Sequence, residues 1–424
     1  MMRFRCFYFS ALLFVCACAL AVPDLTHAGL AAGSETSKKV SEKKFRAWLG
    51  TLWRDAKAQG VSRETFNSAF NGVSLDWSLP DLKKSAGKPE QQAEFGSPSR
   101  YFKERSLYAL ANRGQALRAK YAKTLARIEQ HYGVPGTVIL SVWGRETAYG
   151  AAKIPHYAVR SLATLAYAGR RRDFFRKEVL SALVILEQGH IKRGQMRSSW
   201  AGAMGHTQML PSQFLKYAVD FNRDGKKDIW NNIPDALATT ANFLRKKGWQ
   251  SGMSWGYEVN LPKSVSCALE GPDKRVNVST WLKRGVSRVK GRKFSKAAQS
   301  FPTSLLVPAG RYGPAFIVTK NFYVLKEYNE SDVYALFVGH VADRMSANKP
   351  FVTKWRDVPT YTRSQMKKVQ KKMVKLGYNV GDSIDGLIGF RTRVATGEYQ
   401  TKYKLRQDCW PGPKFIRHLN KTVK

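Results

Sequence analysis

The chain has 424 residues, 43% of them hydrophobic, which is enough to bury a sizeable core and to fill about two or three domains. Lys and Arg number 71 against 31 Asp and Glu, for a formal net charge of +40, a balance that favours an anionic partner. Nucleic acid is the partner class excluded: there is no zinc-finger spacing and no aromatic-bearing basic RNA motif. The basic residues are spread over 38–46, 283–296 and 367–375 instead of forming one stripe.

At the N-terminus, Arg3 and Arg5 precede an apolar run over 7–22, and the small-residue stop Thr26-His27-Ala28 predicts cleavage before Gly29. The run is short for a membrane span and no other long apolar stretch follows. Residues 1–28 therefore read as a signal peptide, and the mature chain as exported and free of a stable span. Lipidation would need Cys18 as the modified residue, and Cys16-Ala17 before it match that signal poorly. Export weighs further against nucleic acid and towards an anionic polymer outside the cytoplasm. Three of the five cysteines fall in the leader, leaving Cys267 and Cys409. An oxidising compartment lets these two pair; two independent buried thiols are the alternative, and the sequence leaves both open.

A polar stretch over 29–44 reads as a flexible segment, followed by a main domain over 45–348. Phe45, Trp48, Leu49, Leu52 and Trp53 recur at helical spacing, as do Leu117, Tyr121, Leu125 and Ile128. From 255 to 317 short apolar runs broken by Pro, Gly and Lys predict a small strand-containing insertion, and helix returns over 321–345. A linker is expected at 349–363 and a separate unit at 364–424. In that unit Met366, Val369, Met373 and Leu376 form an amphipathic helix stopped by Gly377. Thr392, Ala395, Tyr399 and Gln400 mark a second helix, and Phe415, Ile416 and Leu419 a third. The fold class expected is mainly α (α+β): a helical core with a small strand-containing insertion and a C-terminal three-helix domain.

Glu146 is the candidate for chemistry. Val138, Ile139, Val142 and Trp143 align into one apolar stripe, and Glu146 falls on it three, four and seven positions after its members. An acid there is expected to be partly desolvated, which favours the protonated form that a general acid needs. A buried Glu paired with an Arg is the alternative. Downstream, Gly202 and Gly205 allow backbone to approach a ligand closely, and Gln208 offers a donor and an acceptor to a sugar; tight helix packing is the competing reading. A third motif places oxygen ligands Asp220, Asn222 and Asp224 at alternate positions, then Gly225 and the carbonyl of Lys226, in a calcium-loop pattern. Its twelfth position is Asn231 where a bidentate Glu is usual, so the closing carboxylate would be Asp235. A metal-free Asx-rich turn is the alternative.

Three stretches together resemble the membrane-bound lytic murein transglycosylase B family, glycoside hydrolase family 103: Gly144-Arg145-Glu146-Thr147 with Gly150, residues 201–212, and Tyr328-Asn329 with Ser331 and Tyr334. The resemblance spans roughly 45–345. It implies a lysozyme-like catalytic core that cuts between N-acetylmuramic acid and N-acetylglucosamine in peptidoglycan glycan strands. By position it makes Glu146 the acid/base and places Ser199, Gln208, Tyr328, Asn329 and Tyr334 along the substrate. Arg170 and Arg171 match the family's arginine pair near the glycan peptide. It also implies no cofactor for the chemistry and is compatible with a structural calcium ion in the 220–228 loop; the signal peptide makes the periplasm the expected location, and a monomer is expected. The sequence departs from the pattern at two places: His206-Thr207 stand where Tyr-Gly is frequent, and Phe243 holds a place often taken by tyrosine. Residues 364–419 resemble the peptidoglycan-binding domain appended to many wall enzymes, departing at Cys409, where glycine is common.

The motifs contain a single carboxylate for chemistry, where ordinary glycosidases need two. The reaction expected is therefore non-hydrolytic, with a 1,6-anhydro product. A hydrolytic muramidase with a second carboxylate and a non-catalytic wall-binding scaffold are the alternatives.

Overall fold

The computed structural model describes residues 32–82 and 97–423; the predicted signal peptide lies outside the described residues. The described chain falls into two compact units, one holding 97–141 and 244–423, the other 32–82 and 142–243. The divisions fall inside two helices, Gly136–Thr147 and Ile233–Lys246.

The unit of 32–82 and 142–243 is helical, apart from a two-stranded antiparallel ladder between His156–Tyr157 and Arg197–Ser198. Residues 32–44 of the polar stretch expected to be flexible belong to the helix Ala32–Thr51. That helix buries Phe45 and Leu49, and Leu52, which follows its last residue, is buried with them, as the spacing predicts, in a core shared with Leu162 and Leu165 of helix Ala158–Ala168 and with Phe175 and Leu183 of helix Arg172–Glu187. Burial of such side chains contributes about 1.5–3 kcal/mol each.

The other unit contains the strands expected from the sequence. Five strands run in the order Val276–Asn277, Pro302–Leu306, Ala315–Val318, Gly256–Asn260, Ser287–Arg288, each neighbour antiparallel. The helix expected over 321–345 is two, Lys320–Lys326 and Asp332–Arg344, joined by a turn. Arg344, 1% exposed, forks onto both carboxylate oxygens of Glu104.

The tail holds the three helices read from its spacing, Arg363–Lys375, Phe390–Lys402 and Pro413–Thr422, around a core of Met366, Val369, Met373, Ala395, Tyr399, Phe415 and Leu419. A capping box starts the first helix: Thr362 Oγ1 accepts from the Gln365 amide and Gln365 Oε1 from the Thr362 amide. Gly377, at φ +83°, ends it in the left-handed conformation that glycine adopts without a Cβ penalty. Buried Gln370 organises the loop before the second helix, donating to Leu387 O and Thr392 Oγ1 and accepting from the Gly386 amide.

This three-helix unit is fastened to segments that flank the sheet. Cys267 and Cys409, both fully buried, form a disulfide, which resolves the alternative left open by the sequence. Tyr312 Oη donates to Asp408 (2.7 Å), and the Arg311 amide to the Asp408 carbonyl (2.9 Å). The expected linker is also packed down: Trp355 stacks on Phe102 with ring planes 2° apart, and Glu258 accepts from the Val352 and Thr353 amides.

Candidate active site

Glu146 lies in the last turn of the helix Gly136–Thr147, and its side chain is half-buried. The apolar stripe that predicted this is buried: Val138, Ile139, Val142 and Trp143 are each at most 6% exposed. Leu140 and Ser141 are buried too, so the first part of the helix is enclosed on more than one face. Ser141 Oγ donates to the carbonyl of Val338 (2.6 Å), in the helix that carries Tyr334.

The chain leaves this helix through three consecutive residues in the left-handed region, Ala148, Tyr149 and Gly150. Two of them are not glycine, and such a conformation persists only where surrounding contacts impose it. Thr147 Oγ1 accepts from the Gly150 amide (3.1 Å), and the Tyr149 ring packs against Gly144, where a Cβ would lie 2.6 Å from it.

The 201–212 segment meets the helix at this end. Trp143 Nε1 donates to His206 Nδ1 (3.1 Å), with the two rings edge to face, and Thr147 Oγ1 reaches the His206 carbonyl (3.4 Å). A Cβ on Gly150 would lie 2.6 Å from the His206 ring. Because His206 Nδ1 accepts, its proton sits on Nε2. Burial pulls this imidazole below its ordinary pKa, outweighing Asp228. His206 is therefore a clamp on the end of the Glu146 helix, visible only once the fold is closed.

Two residues beyond His206, Gln208 is 7% exposed and has φ +52°, and its Nε2 donates to the Gly205 carbonyl (2.9 Å). Gly205 is required by its neighbours as well as by its positive φ, since a Cβ would stand 2.5 Å from the Ile229 carbonyl. Ser199 Oγ accepts from the Ala203 amide, closing a turn that contains Gly202 and precedes Gly205. Sequence reasoning missed Glu178. It is 3% exposed and caps the helix Pro211–Tyr217, accepting from the Ser212 amide (2.9 Å) and Oγ (2.7 Å). Burial raises its pKa against those hydrogen bonds. Its position within helix Arg172–Glu187 gave no local signal of that partner.

Arg170 is exposed and forks onto Asp81, whereas Arg171 lies over the rings of Phe174 and Phe175 at 5.0 and 5.1 Å. In the other unit, Tyr328 and Tyr334 are 8% and 1% exposed, and Asn329 Oδ1 accepts from the Ser331 amide (3.1 Å). Phe243 packs edge to face on Tyr217.

The carboxylates of the 220–228 loop turn onto the loop's own amides. Asp220 accepts from Asp224 and Gly225, Asp224 from Lys226, and buried Asp235 spends one oxygen on Phe221 and the other on Asp228, each at 2.9 Å. Among the described residues no group of three or more His, Cys, Asp or Glu is set to hold a metal ion. These hydrogen bonds are those of an Asx-rich turn, and each carboxylate oxygen keeps a further lone pair beyond the one spent on an amide.

Residues 44–343 match the Transglycosylase SLT domain. The chain belongs to this family. Membrane-bound lytic murein transglycosylase B of Escherichia coli K12 is 29% identical over 225 residues, 52% of this chain and 59% of that protein's length. The transglycosylase-domain fold is also that of SltB3 from Pseudomonas aeruginosa, solved in complex with NAG-NAM-pentapeptide. That structure is 38% identical, with a TM-score of 0.81, covering 88% of this chain and 99% of that one. The same protein in complex with NAG-anhNAM-pentapeptide matches at 37% identity and TM-score 0.81, covering 89% of this chain and 99% of that one. Slt35 of E. coli in complex with calcium is 23% identical, with a TM-score of 0.57 over 72% of this chain and 94% of that one, a likeness of fold alone. Glu146, Gln208, Tyr328 and Tyr334 all fall inside the transglycosylase-domain match, whereas the disulfide partner Cys409 falls beyond it. No described helix is long and apolar enough to cross a membrane.

Proposed function

We propose that the chain is an exported lytic transglycosylase of the periplasm that cuts peptidoglycan between N-acetylmuramic acid and N-acetylglucosamine, with Glu146 acting first as acid and then as base. The observation that carries this reading is the half-buried Glu146 at the end of a helix whose flanking residues, Trp143 and Thr147, are both tied to the segment bearing Gln208. Family membership and the likeness to SltB3 support it.

Glu146 donates its proton to the glycosidic oxygen as the C1–O bond breaks, releasing the N-acetylglucosamine hydroxyl. The substrate's own acetamide stabilises the positive charge at C1. The Glu146 carboxylate then takes the proton of the muramic acid C6 hydroxyl, whose oxygen bonds to C1 and closes the 1,6-anhydro ring. Water is not consumed and Glu146 ends reprotonated, so one carboxyl suffices. Ser199, Gln208, Tyr328, Asn329 and Tyr334 line the glycan, Arg170 and Arg171 face its peptide, and the tail adds a wall-binding surface. No cofactor takes part in the chemistry, and a calcium ion held in the 220–228 loop would be structural.

Mass spectrometry of digested sacculi tests the proposal. Anhydro-muropeptides released by the wild type and absent with Glu146→Gln support it. Reducing ends identify a hydrolase, and no release from a folded wild type identifies a wall-binding scaffold.

A further inference from the structure

Arg393 belongs to the tail helix Phe390–Lys402, outside the transglycosylase-domain match, and is 3% exposed. Its guanidinium forks onto both oxygens of Glu270 (2.7 and 3.0 Å) and also donates to Asp332 Oδ2 (2.9 Å). The other oxygen of Asp332 accepts from Lys326 Nζ (2.7 Å). Lys326 is the last residue of helix Lys320–Lys326 and Asp332 the first of helix Asp332–Arg344. The pair therefore staples together the two ends of the 327–331 turn, which carries Tyr328 and Asn329, and Tyr334 follows in the next turn.

Each end of this clamp is anchored. Glu270 is 2% exposed and also accepts from the Val307 amide (3.0 Å). On the tail side, the disulfide partner Cys409 packs against Gly397, one turn after Arg393, where a Cβ would stand 2.4 Å from the sulfur. A rotation of the tail helix would break a covalently backed contact before it released Asp332.

We infer that Arg393 is a positioning residue for the glycan site: through Asp332 it fixes the turn bearing Tyr328 and Asn329 and the start of the helix bearing Tyr334, so the tail completes the site as well as binding wall. This rests on the substrate role proposed above for those three residues.

The test compares full-length wild type, Arg393→Lys, Asp332→Asn and the double variant. Lysine keeps the charge but cannot bridge two carboxylates as the planar fork does. Asparagine keeps shape and an acceptor, so it remains informative should Arg393→Lys fail to fold. The expected result is a KM for soluble glycan raised ~5-fold in each single variant, with kcat per folded enzyme within ~2-fold and a double variant no worse than either single. A merely structural role would lower the active fraction and leave KM unchanged. An unchanged KM, or single effects that multiply, overturns the inference. Amide hydrogen exchange across 327–331 reads the same clamp without turnover: faster exchange in the variants is expected, and unchanged exchange also overturns it. A wild type that makes no product sinks the functional reading alone, because the exchange result still stands.

Discussion

Trp143 Nε1 donates to His206 Nδ1 across 3.1 Å, joining the helix of Glu146 to the segment of Gln208. Replacing His206 with Phe keeps a ring in the slot beside Gly150 and removes the acceptor. The expected cost is about 1 kcal/mol of stability and a fall in turnover, because the end of the Glu146 helix loses its tether. Melting and kinetics on the same preparation check this; a variant with wild-type turnover would detach His206 from the site.

Acid should weaken the fold through His340. It is 5% exposed and stacked 3.6 Å from Phe351, and burial, aided by Arg344, pushes its pKa down from 6.5 to about 3. A group depressed in this way binds fewer protons folded than unfolded. Its contribution is therefore complete above 6.5 and is lost as pH falls towards 3, on the order of 5 kcal/mol in total. Asp332 adds to the same trend at more acid pH: burial raises it, but Lys326 and Arg393 together hold it at about 2. Denaturant midpoints between pH 7 and pH 4 should fall for the wild type and flatten for His340→Gln. Parallel slopes would show that other groups set the acid limit.

Gly310 has φ +57°, and a Cβ there would lie 2.2 Å from the Asp408 carbonyl. Main chain on both sides cannot give way as a side chain would. Gly310→Ala is expected to destabilise the protein by about 2–3 kcal/mol and to loosen the tail, exposing it to proteolysis. A cut pattern unchanged from the wild type would contradict the docking.

The Cys267–Cys409 disulfide closes a loop with a sequence separation of 142. Cys267→Ala with Cys409→Ala should cost about 4 kcal/mol, chiefly by freeing the unfolded chain. The melting temperature of the double variant under non-reducing conditions measures this, and equal melting would mean that the tail docks without the bond.

What the sequence disclosed was local. The burial of Val138 and Val142 follows from a 3.6-residue period, as do the tail helices from Met366, Val369 and Met373, and glycine at 377 marks a helix stop by its own chemistry. The hidden features join residues far apart in the chain. Nothing near Asp332 announces Arg393, and nothing near Trp143 announces His206, because periodicity fixes a face and not the partner that covers it. Even Cys267 and Cys409 are a pair only in number until the fold brings their backbones together. The 220–228 loop shows the reverse: a spacing read as a cation cage is equally a spacing for hydrogen bonds to the loop's own amides.

The Arg393 clamp and the Cys409 bond both lie beyond the 44–343 match to the transglycosylase domain. That stretch expressed on its own would lack both, so Asp332 would keep Lys326 as its remaining cationic partner and Cys267 would be left as a free thiol.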